Sequence, residues 1–262
     1  MEFDNLEAYY SDESTKLFCE DSLVLLKEIP DETFDLIFAD PPYFLSNDGI
    51  SCKSGKQVSV NKGEWDRVSS FEDKHEFNRT WISECRRILK PSGTILISGT
   101  FHNIYSIGVA LEQENYKILN NITWEKLNPP PNLGCRCFTH STETLLWAKP
   151  DKRGKHYFNY ELMKQLNSGK QMKDVWRGKL TPKAEKVEGK HPTQKPEYLL
   201  ERIILATTEE GAIILDPFVG SGTTAVVAKR LKRRCVGIDN EIKFIDIAIN
   251  RLKKVQDEQQ KL

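Results

Sequence analysis

The stretch D-P-F-V-G-S-G-T-T at residues 216–224 decides the fold of this 262-residue chain. An apolar run at 212–215 precedes it, and a run with helical spacing at 223–231 follows it. A glycine-rich turn between a strand and a helix is typical of α/β sheets, whose ligands bind beyond the carboxyl ends of the strands. Gly220 and Gly222 allow the backbone to turn tightly and to approach a ligand closely.

Outward from this turn, apolar runs alternate with helical patterns along the chain. The pattern predicts strands at residues 16–20, 35–40, 94–98, 116–124, 143–148, 212–215 and 235–238. It predicts helices at residues 23–29, 71–90, 102–113, 196–207, 223–231 and 241–252. We expect an α/β fold with a doubly wound, mostly parallel sheet that helices cover on both faces. Residues 44–70 are predicted to form a long loop, and residues 151–191 show no clear periodicity.

The composition is that of an ordinary globular protein. Charged residues make up 29% and hydrophobic ones 39%, and no apolar run approaches the ~18 residues that span a bilayer. Residues 1–5 lack the apolar stretch of a signal peptide, so we expect a cytoplasmic protein. The 38 basic and 38 acidic residues balance, yet residues 149–195 hold 13 basic against 5 acidic ones. This segment favours a polyanionic partner, and a solvated lysine-rich loop is the alternative.

A second motif, D-P-P-Y at residues 40–43, directly follows the apolar run 35–39. Its two prolines remove two backbone donors, so the turn presents carbonyl groups. The Asp40 carboxylate and the Pro41 carbonyl form a pair of acceptors, which an amino group with two hydrogens requires. Hydrogen bonds to both would pull an aryl-amine nitrogen toward tetrahedral geometry, and Asp40 would stabilise the positive charge that develops there. Tyr43 offers a ring face for stacking a base; a strand-terminating turn without a ligand is the alternative.

The glycine-rich turn favours a nucleoside ligand that carries positive charge. Asp239 lies 23 residues after Asp216, at the end of the next strand, where an acid accepts both hydroxyls of a ribose. No lysine follows the glycines and no third glycine is present, which disfavours a P-loop and pyrophosphate binding. An acid at the start of the turn suits a cation. S-adenosylmethionine carries an ammonium, a sulfonium and a ribose, so we predict it as the cofactor; a turn without a ligand is the alternative.

The six cysteines and five histidines predict neither disulfides nor a metal site. Reduced thiols are expected in a large chain without a secretion signal. Cys135 and Cys137 lack the further ligands that zinc requires, and the histidines show no metal-ligand spacing. His191 precedes the predicted helix 196–207, and both a capping and a catalytic role are open for it. No cysteine follows a proline, so a covalent route to C5 of cytosine has no obvious nucleophile.

Together these motifs resemble the amino-methyltransferases of DNA, in particular their permuted β class, in which D-P-P-Y precedes the cofactor loop. The resemblance covers nearly the whole chain and includes F-A-D-P-P-Y-F-L-S at 38–46, G-E-W-D at 63–66 and H-P-T-Q-K-P at 191–196. It is greatest to members that methylate adenine N6 in GATC, including the stretches at 138–147 and 171–176. It implies the modification enzyme of a restriction-modification system.

The resemblance also implies a Rossmann-like methyltransferase fold and a set of site residues. The implied catalytic residues are Asp40, Pro41, Pro42 and Tyr43. The implied cofactor-binding residues are Asp21, Ser22, Asp40, Lys195, Pro196, Asp216, Phe218, Gly220, Ser221, Gly222, Thr223 and Asp239. Glu20, Asp21 and Ser22 would contact the adenine of the cofactor, and Lys195 and Pro196 would flank its methionine end. A side chain at Gly222 would stand in the path of the cofactor.

The expected partner is DNA, either a duplex with the target adenine flipped out of the stack or a single strand. We divide the chain into a catalytic part at 1–150, a target-recognition insertion at 151–190 and a cofactor-binding part at 191–262, the first and last forming one domain. The candidate DNA contacts are Ser46, Asn47, Asn61, Lys152, Arg153, Lys155, Lys170, Lys173 and Arg177. For each of them a solvated side chain is the alternative. A homodimer is left open, and no membrane or metal partner is expected.

Other functions are open at this point. Methylation of cytosine N4 is chemically equivalent, because that group is also an exocyclic amine. The motif has Asp before Pro-Pro-Tyr and not Ser. This choice favours adenine through the family resemblance alone and not through the chemistry. RNA or a protein glutamine amide is a further substrate, although Asn usually replaces Asp40 in the amide enzymes. A non-catalytic nucleic-acid-binding module is the last alternative, and the intact cofactor and acceptor motifs argue against it.

Overall fold

The computed structural model describes residues 6–44, 50–53, 56–59, 70–189 and 191–259. Three candidate DNA contacts, Ser46, Asn47 and Asn61, lie outside these residues. The strands are β1 (Tyr10–Ser11), β2 (Thr15–Cys19), β3 (Phe34–Ala39), β4 (Ile50–Lys53), β5 (Lys56–Ser59), β6 (Leu89–Gly99), β7 (Lys117–Lys126), β8 (Thr142–Lys149), β9 (Val175–Gly178), β10 (Ile213–Asp216) and β11 (Arg234–Asp239). The helices are α1 (Ser22–Glu28), α2 (Phe71–Ile88), α3 (Ile104–Gln113), α4 (Tyr160–Leu166), α5 (Glu197–Thr207), α6 (Thr223–Arg230) and α7 (Ile242–Gln259). In the described part of the chain, no helix has the length and apolar character needed to cross a bilayer.

Within the described residues the main sheet has nine strands, in the order β1-β2-β11-β10-β3-β6-β8-β7-β9. The run from β2 to β6 in this order is parallel throughout. β8 is antiparallel to both of its neighbours, and β1 is an antiparallel edge strand. The prediction of a mostly parallel α/β sheet is confirmed. β3 and β10 are adjacent in the sheet although most of the chain separates them in sequence, which is the permuted order that the resemblance implies.

Alternate residues of the central strands enter two hydrophobic clusters on opposite faces of the sheet. In β3, Leu36 and Phe38 belong to the cluster that includes residues of α5, α6 and α7. Ile37, between them, belongs to the cluster that includes residues of α1, α2 and α3. A strand that is buried on both faces has a continuous apolar sequence, which explains why the sequence indicated a buried parallel strand here. The doubly wound arrangement is therefore confirmed.

Two segments without a clear pattern contain regular structure, and the expectation of a loop throughout residues 44–70 is wrong. Part of the predicted long loop forms the antiparallel hairpin β4–β5. The aperiodic basic segment contains α4, a 3-10 helix at Lys183–Lys186 and β9, which extends the main sheet by pairing parallel with β7. Each of these elements has only four to seven residues, which is too short for a hydrophobic period to be visible in the sequence.

The strands β3, β6, β10 and β11 all finish at the same end of the sheet, which we call the carboxyl end. Both sequence motifs follow strands that finish there, since D-P-P-Y follows β3 and the glycine-rich turn follows β10. Because β8 is antiparallel, its first residue and the β7–β8 loop also lie at the carboxyl end. Its last residue, Lys149, lies at the opposite end of the sheet, which we call the amino end.

Candidate active site

One cavity at the carboxyl end of the sheet joins the two motifs. The D-P-P-Y residues form one part of its wall, and residues that follow β10 and β11 form another. The lining residues are Asp21, Ser22, Asp40, Pro41, Pro42, Tyr43, Phe77, His191, Thr193, Phe218, Asp239, Asn240, Glu241 and Phe244. A ligand that fills this cavity therefore contacts both motifs at once.

Asp40 directly follows β3, and protein donors bind both of its carboxylate oxygens. The Tyr43 hydroxyl donates to Oδ1 at 2.5 Å, and the Lys195 ammonium donates to Oδ2 at 2.5 Å. Lys195 Nζ also donates to the Tyr43 hydroxyl oxygen at 2.8 Å. Burial raises the pKa of Asp40, and the charge of Lys195 partly offsets this effect. The tyrosine was expected only to offer a ring face; its hydroxyl is also a hydrogen-bonding partner of the acceptor carboxylate.

The ammonium of Lys195 continues into a chain of buried charges. Lys195 Nζ lies 3.4 Å from Oε2 of Glu143, and Lys126 binds Oε1 of the same carboxylate at 2.6 Å. Burial lowers the pKa of Lys195, but the charges of Asp40 and Glu143 outweigh it, so the net shift is upward. Burial likewise raises the pKa of Glu143, but the two lysines outweigh it and lower the value overall. The neighbouring charges therefore favour the charged forms of Lys195 and Glu143, whereas burial opposes the charge of Asp40.

A buried polar network fixes the backbone of the D-P-P-Y turn. Asn103 donates through Nδ2 to the Pro42 carbonyl at 2.9 Å, and Asn78 donates to Asn103 Oδ1 at 2.6 Å and to Ser106 Oγ at 3.0 Å. These three side chains, from α2 and from α3 and its start, are almost completely buried. In the described part of the chain, no group donates to the Pro41 carbonyl, which stays available as the second acceptor. The sequence carried no motif that identifies these supporting residues.

The glycine-rich turn is closed by its own first residue. Asp216 accepts hydrogen bonds from the Phe218 backbone N–H at 3.0 Å and from the Thr224 hydroxyl at 2.5 Å. Burial raises the pKa of Asp216 to about 7. The resemblance assigns Asp216 to the cofactor, and in the structure both of its oxygens stabilise the turn.

The two glycines of the turn have left-handed backbone conformations, with φ of 51° at Gly220 and 76° at Gly222. A Cβ atom on Gly222 would lie 2.5 Å from Cβ of Ala248 in α7, so this glycine is required for helix packing. The expectation that a side chain here would project into the cofactor path is wrong, because the Cβ direction points to α7. A Cβ atom on Gly220 would instead meet the His191 ring at 3.1 Å.

Arg251 of α7 holds the turn from behind. Its guanidinium donates to the Ser221 carbonyl at 2.7 Å and to the Thr223 hydroxyl at 3.0 Å, and it forms an ion pair with Glu197 at 2.8 Å. Ser221 and Thr223 are buried and directed toward this arginine. These contacts fix the shape of the turn, and the part of Ser221 and Thr223 in cofactor binding stays a prediction. In the sequence Arg251 is one of several basic residues in a C-terminal helix, so nothing distinguished it.

Asp239 presents a carboxylate to the cavity from the end of β11. Its oxygens accept hydrogen bonds from the backbone N–H groups of Gly220 and Glu241, both at 2.9 Å. Burial raises the pKa of Asp239 to about 6. Ser22 donates to the Pro217 carbonyl and so connects the start of α1 to the glycine-rich turn. Asp21, which caps α1 through Leu23 N at 2.6 Å, lines the same part of the cavity.

Aromatic side chains form the remaining walls. Phe218 packs edge-on against Trp81, with ring centroids 5.4 Å apart, and lies 6.2 Å from Phe77. His191 packs edge-on against Phe244 at 4.2 Å. Sequence reasoning left Phe77 and Phe244 unassigned, because an aromatic residue at helical spacing is indistinguishable from an ordinary core residue. The partly exposed Phe77 and the buried Phe244 line a cavity suited to a planar heterocycle.

The structure does not place three of the candidate DNA contacts near this cavity. Lys152, Arg153 and Lys155 follow β8 and so lie at the amino end of the sheet. Lys152 lines a surface cleft there together with Asp31 and Glu32, which precede β3. β8 has eight residues and is roughly 25 Å long, so these three cations and Asp40 are at opposite ends of the molecule.

The other candidate DNA contacts accompany the outermost strand. Lys170 and Lys173 lie between α4 and β9, and both are exposed. Arg177, within β9, forms an ion pair with Glu125 at 2.8 Å. Lys173 lines a cleft with Asn120 and Trp147 of the neighbouring strands, and none of the three residues lines the cavity. Among the residues that the structure describes, no group of three or more His, Cys, Asp or Glu side chains has the arrangement of a metal site.

The chemistry of the cavity fits S-adenosylmethionine. Carboxylates at Asp40, Asp21 and Asp239 suit a ligand with an ammonium, a sulfonium and ribose hydroxyls. The rings of Phe218 and Phe244 provide apolar walls for an adenine. The Rossmann-like sheet, the glycine-rich turn and the acid after the next strand define an S-adenosylmethionine-dependent methyltransferase.

The family model for DNA methylases matches residues 34–250, and the chain belongs to that family. The chain is 65% identical over 247 residues to type II methyltransferase M2.LlaDCHI of Lactococcus lactis subsp. cremoris, covering 94% of this chain and 92% of the relative. It is 65% identical over 246 residues to type II methyltransferase M2.DpnII of Streptococcus pneumoniae, with the same coverage. The crystal structure of the M1.HpyAVI–SAM complex superposes with a TM-score of 0.68 at 28% identity, covering 91% of this chain and 98% of that one.

The packing of Gly222 predicts a large stability loss on substitution. We expect Gly222→Ala to lower the free energy of unfolding by about 2–3 kcal/mol, because the new methyl group adds a clash to an unfavourable φ. Gly211→Ala is the matched control, since Gly211 has a φ of 80° and open space around it, and should lose only about 1 kcal/mol. Denaturant titration measures both values. Equal losses would mean that Ala248 does not constrain the turn.

The position of Asp239 predicts that cofactor affinity depends on pH. Burial raises the pKa of this group to about 6, so protons bind it at a higher pH than an ordinary aspartate. A ribose hydroxyl needs the ionised carboxylate, so the affinity for S-adenosylmethionine should fall as the pH decreases through about 6. Calorimetric titration between about pH 5 and 8 tests this. Asp239→Asn should bind more weakly and with a flatter pH profile; the same slope in both proteins would assign the dependence to another group.

Proposed function

We propose that this protein transfers a methyl group from S-adenosylmethionine to N6 of adenine in DNA, within GATC, as the modification enzyme of a type II restriction-modification system. The observation that carries the proposal is one cavity that is lined both by the D-P-P-Y residues and by Phe218 of the cofactor turn. The names of the type II relatives at 65% identity support the restriction-modification setting. The resemblance of the sequence motifs to adenine methyltransferases supports adenine as the target base and GATC as the target site. A cytoplasmic location is proposed, because these relatives are bacterial and the DNA of a bacterial cell lies in its cytoplasm.

The acceptor pair accounts for the chemistry that this chain must perform. S-adenosylmethionine, when bound, supplies an electrophilic methyl group on a sulfonium. The amino nitrogen of adenine is a weak nucleophile, because its lone pair is delocalised into the ring. Hydrogen bonds from its two N–H groups to Asp40 and to the Pro41 carbonyl favour tetrahedral nitrogen and free the lone pair for attack. The Asp40 carboxylate then stabilises the positive charge that develops on nitrogen, in a site that is already organised.

The neighbouring residues keep this acceptor pair in place. The bond from Asn103 occupies the Pro42 carbonyl, and Pro41, whose carbonyl is the second acceptor, lines the cavity. Tyr43 holds Oδ1 of Asp40, and each carboxylate oxygen has a second lone pair that the substrate amine can use. Because a duplex adenine is stacked and paired, the base must be flipped out or presented in a single strand to reach Asp40.

A homodimer and the division into a 151–190 recognition insertion stay predictions.

Removal of the Asp40 charge tests the mechanism. We expect Asp40→Asn to reduce the methylation rate on the order of 10²–10³-fold, equivalent to about 3–4 kcal/mol, since the neutral amide stabilises the developing charge poorly. Affinity for S-adenosylmethionine should stay close to that of the wild type, because the ribose and adenine contacts are elsewhere in the cavity. Single-turnover transfer of a tritiated methyl group to GATC-containing DNA measures the rate. A turnover near that of the wild type would remove Asp40 from the mechanism.

The same assay decides between the possible bases. The acceptor pair is equally suited to the amine of cytosine N4, and the family match covers both types of amine. Digestion of the methylated DNA followed by nucleoside analysis should yield N6-methyladenine. Recovery of N4-methylcytosine would replace the adenine proposal and leave the cofactor site and acceptor pair as described. Sequencing of the products from a random-site substrate tests GATC separately.

We further propose that DNA lies across the carboxyl end of the sheet, on the β7–β8 loop. This loop connects residues 126 and 142 beside the cavity, and its Phe138 ring is 95% exposed. Phe101, which follows β6 at the same end, stacks on His140 of the loop with ring centroids 4.8 Å apart. Exposed aromatic rings stack on unpaired bases, and a flipped-out adenine leaves such bases behind. Arg136 and Lys179 are exposed cations at this end of the sheet that can bind phosphates.

Two sets of charge removals distinguish the ends of the molecule. Arg136→Gln with Lys179→Gln should weaken DNA binding and flatten the dependence of log K on log salt by up to about 2. The triple variant with glutamine at Lys152, Arg153 and Lys155 should leave the slope unchanged, because these cations lie at the amino end. Fluorescence anisotropy over a series of salt concentrations measures both. The opposite result would place the DNA against the amino end and support the original assignment of Lys152, Arg153 and Lys155.

A further inference from the structure

Glu143, the second residue of β8, has one carboxylate oxygen that is bound by a lysine and one that accepts no hydrogen bond within the described residues. Lys126 binds Oε1 at 2.6 Å. Within the described residues, Oε2 is buried and accepts no hydrogen bond. The cation facing it is the ammonium of Lys195, at 3.4 Å, which is directed instead to Asp40 at 2.5 Å. A buried acceptor that is left incompletely satisfied is unfavourable, so this geometry calls for an explanation.

The reaction creates a need for such an acceptor. When the amine of the substrate binds Asp40, it binds the same carboxylate that forms the ion pair with Lys195. Methyl transfer then places a positive charge on that nitrogen, next to an ammonium whose side chain is only 5% exposed. Like charges repel strongly in a buried site. Lys195 must therefore move away from Asp40 or oppose the step that Asp40 assists.

We propose that Glu143 is a positioning residue that receives the Lys195 ammonium when the substrate amine arrives at Asp40. The inference rests on the proposed methylation of an exocyclic amine. A shift of roughly half an ångström brings Lys195 Nζ within hydrogen-bond distance of Oε2. The ammonium keeps an anionic partner throughout, so the movement leaves no buried charge uncompensated. Lys126 holds the receiving carboxylate in position through its other oxygen.

The charges around Asp40 make the inference testable by pH. The groups that act on its titration are Tyr43 on the same turn, Lys195 before α5, Glu143 on β8 and Asp216 at the end of β10. Burial is the main cause of the raised pKa of Asp40, and the negative charge of Glu143 raises it further. Neutralising Glu143 should therefore lower the pKa of Asp40. The acid limb of the pH–rate profile should move to lower pH, even as the rate itself falls.

The experiment compares Glu143→Gln and Glu143→Asp with the wild type in single-turnover methylation. Glutamine has nearly the same shape but cannot receive an ammonium as an ion pair, so we expect at least a tenfold slower rate and an acid limb at lower pH. Aspartate keeps the charge and should recover most of the rate. Affinities for S-adenosylmethionine and DNA should change less than about threefold. Asp12→Asn is the control, because it breaks another buried ion pair, with Lys229 at 2.6 Å, far from the cavity; it should lower the melting temperature without moving the acid limb.

A measurement on the free protein separates this inference from the proposed function. The carboxyl carbon of Asp40, followed by NMR, should titrate at lower pH in Glu143→Gln than in the wild type. If the wild type methylates no amine in DNA, the proposed function fails whatever the titration shows. If it methylates DNA and Glu143→Gln keeps the wild-type rate, the inference is overturned. Equal rate losses in Glu143→Gln and Glu143→Asp with an unmoved acid limb would also overturn it, since they indicate a structural role only.

Discussion

The ion pair between Asp40 and Lys195 is the contact on which the rest of the site depends. Its partners lie 155 positions apart in the sequence and come from the acceptor motif and from the segment before α5. Both partners are buried, so each compensates a charge on the other that would be costly alone. The pair thereby joins the two halves of the permuted fold at the place where the cofactor and the target base must meet. Glu143 and Lys126 extend the pair into an alternating chain of two carboxylates and two ammonium groups, whose formal charges sum to zero.

The fold and the two motifs could be predicted because local chemistry determines them. The strand before Asp40 is apolar at every position that packs on either face, and the turn after β10 has glycines where φ is positive. Such features depend on residues next to each other in the chain. The meeting of the two motifs in one cavity then follows from parallel strands, whose carboxyl ends coincide.

The supporting residues could not be predicted, because they act across distances that a sequence does not display. Asn103 and Arg251 hold the two turns, but an asparagine before a helix and an arginine within one are common for other reasons. The antiparallel direction of β8 could not be predicted from the sequence either. It places the basic residues near 152 at the amino end, although charge counting along the chain grouped them with the rest of the basic segment. Elements as short as β9 carry no period that would have revealed their position.

The contacts of α7 with the glycine-rich turn have a consequence for folding during synthesis. The glycine-rich turn is complete only when Ala248 packs on Gly222 and Arg251 binds the Ser221 carbonyl. These partners follow the turn by some thirty residues, so a growing chain that ends before them exposes the turn without its support. The Asn103 contact with the acceptor turn is available much earlier in synthesis, whereas the Asp40 ion pair waits for Lys195. The cofactor end of the cavity is thus completed last, when α7 has been made.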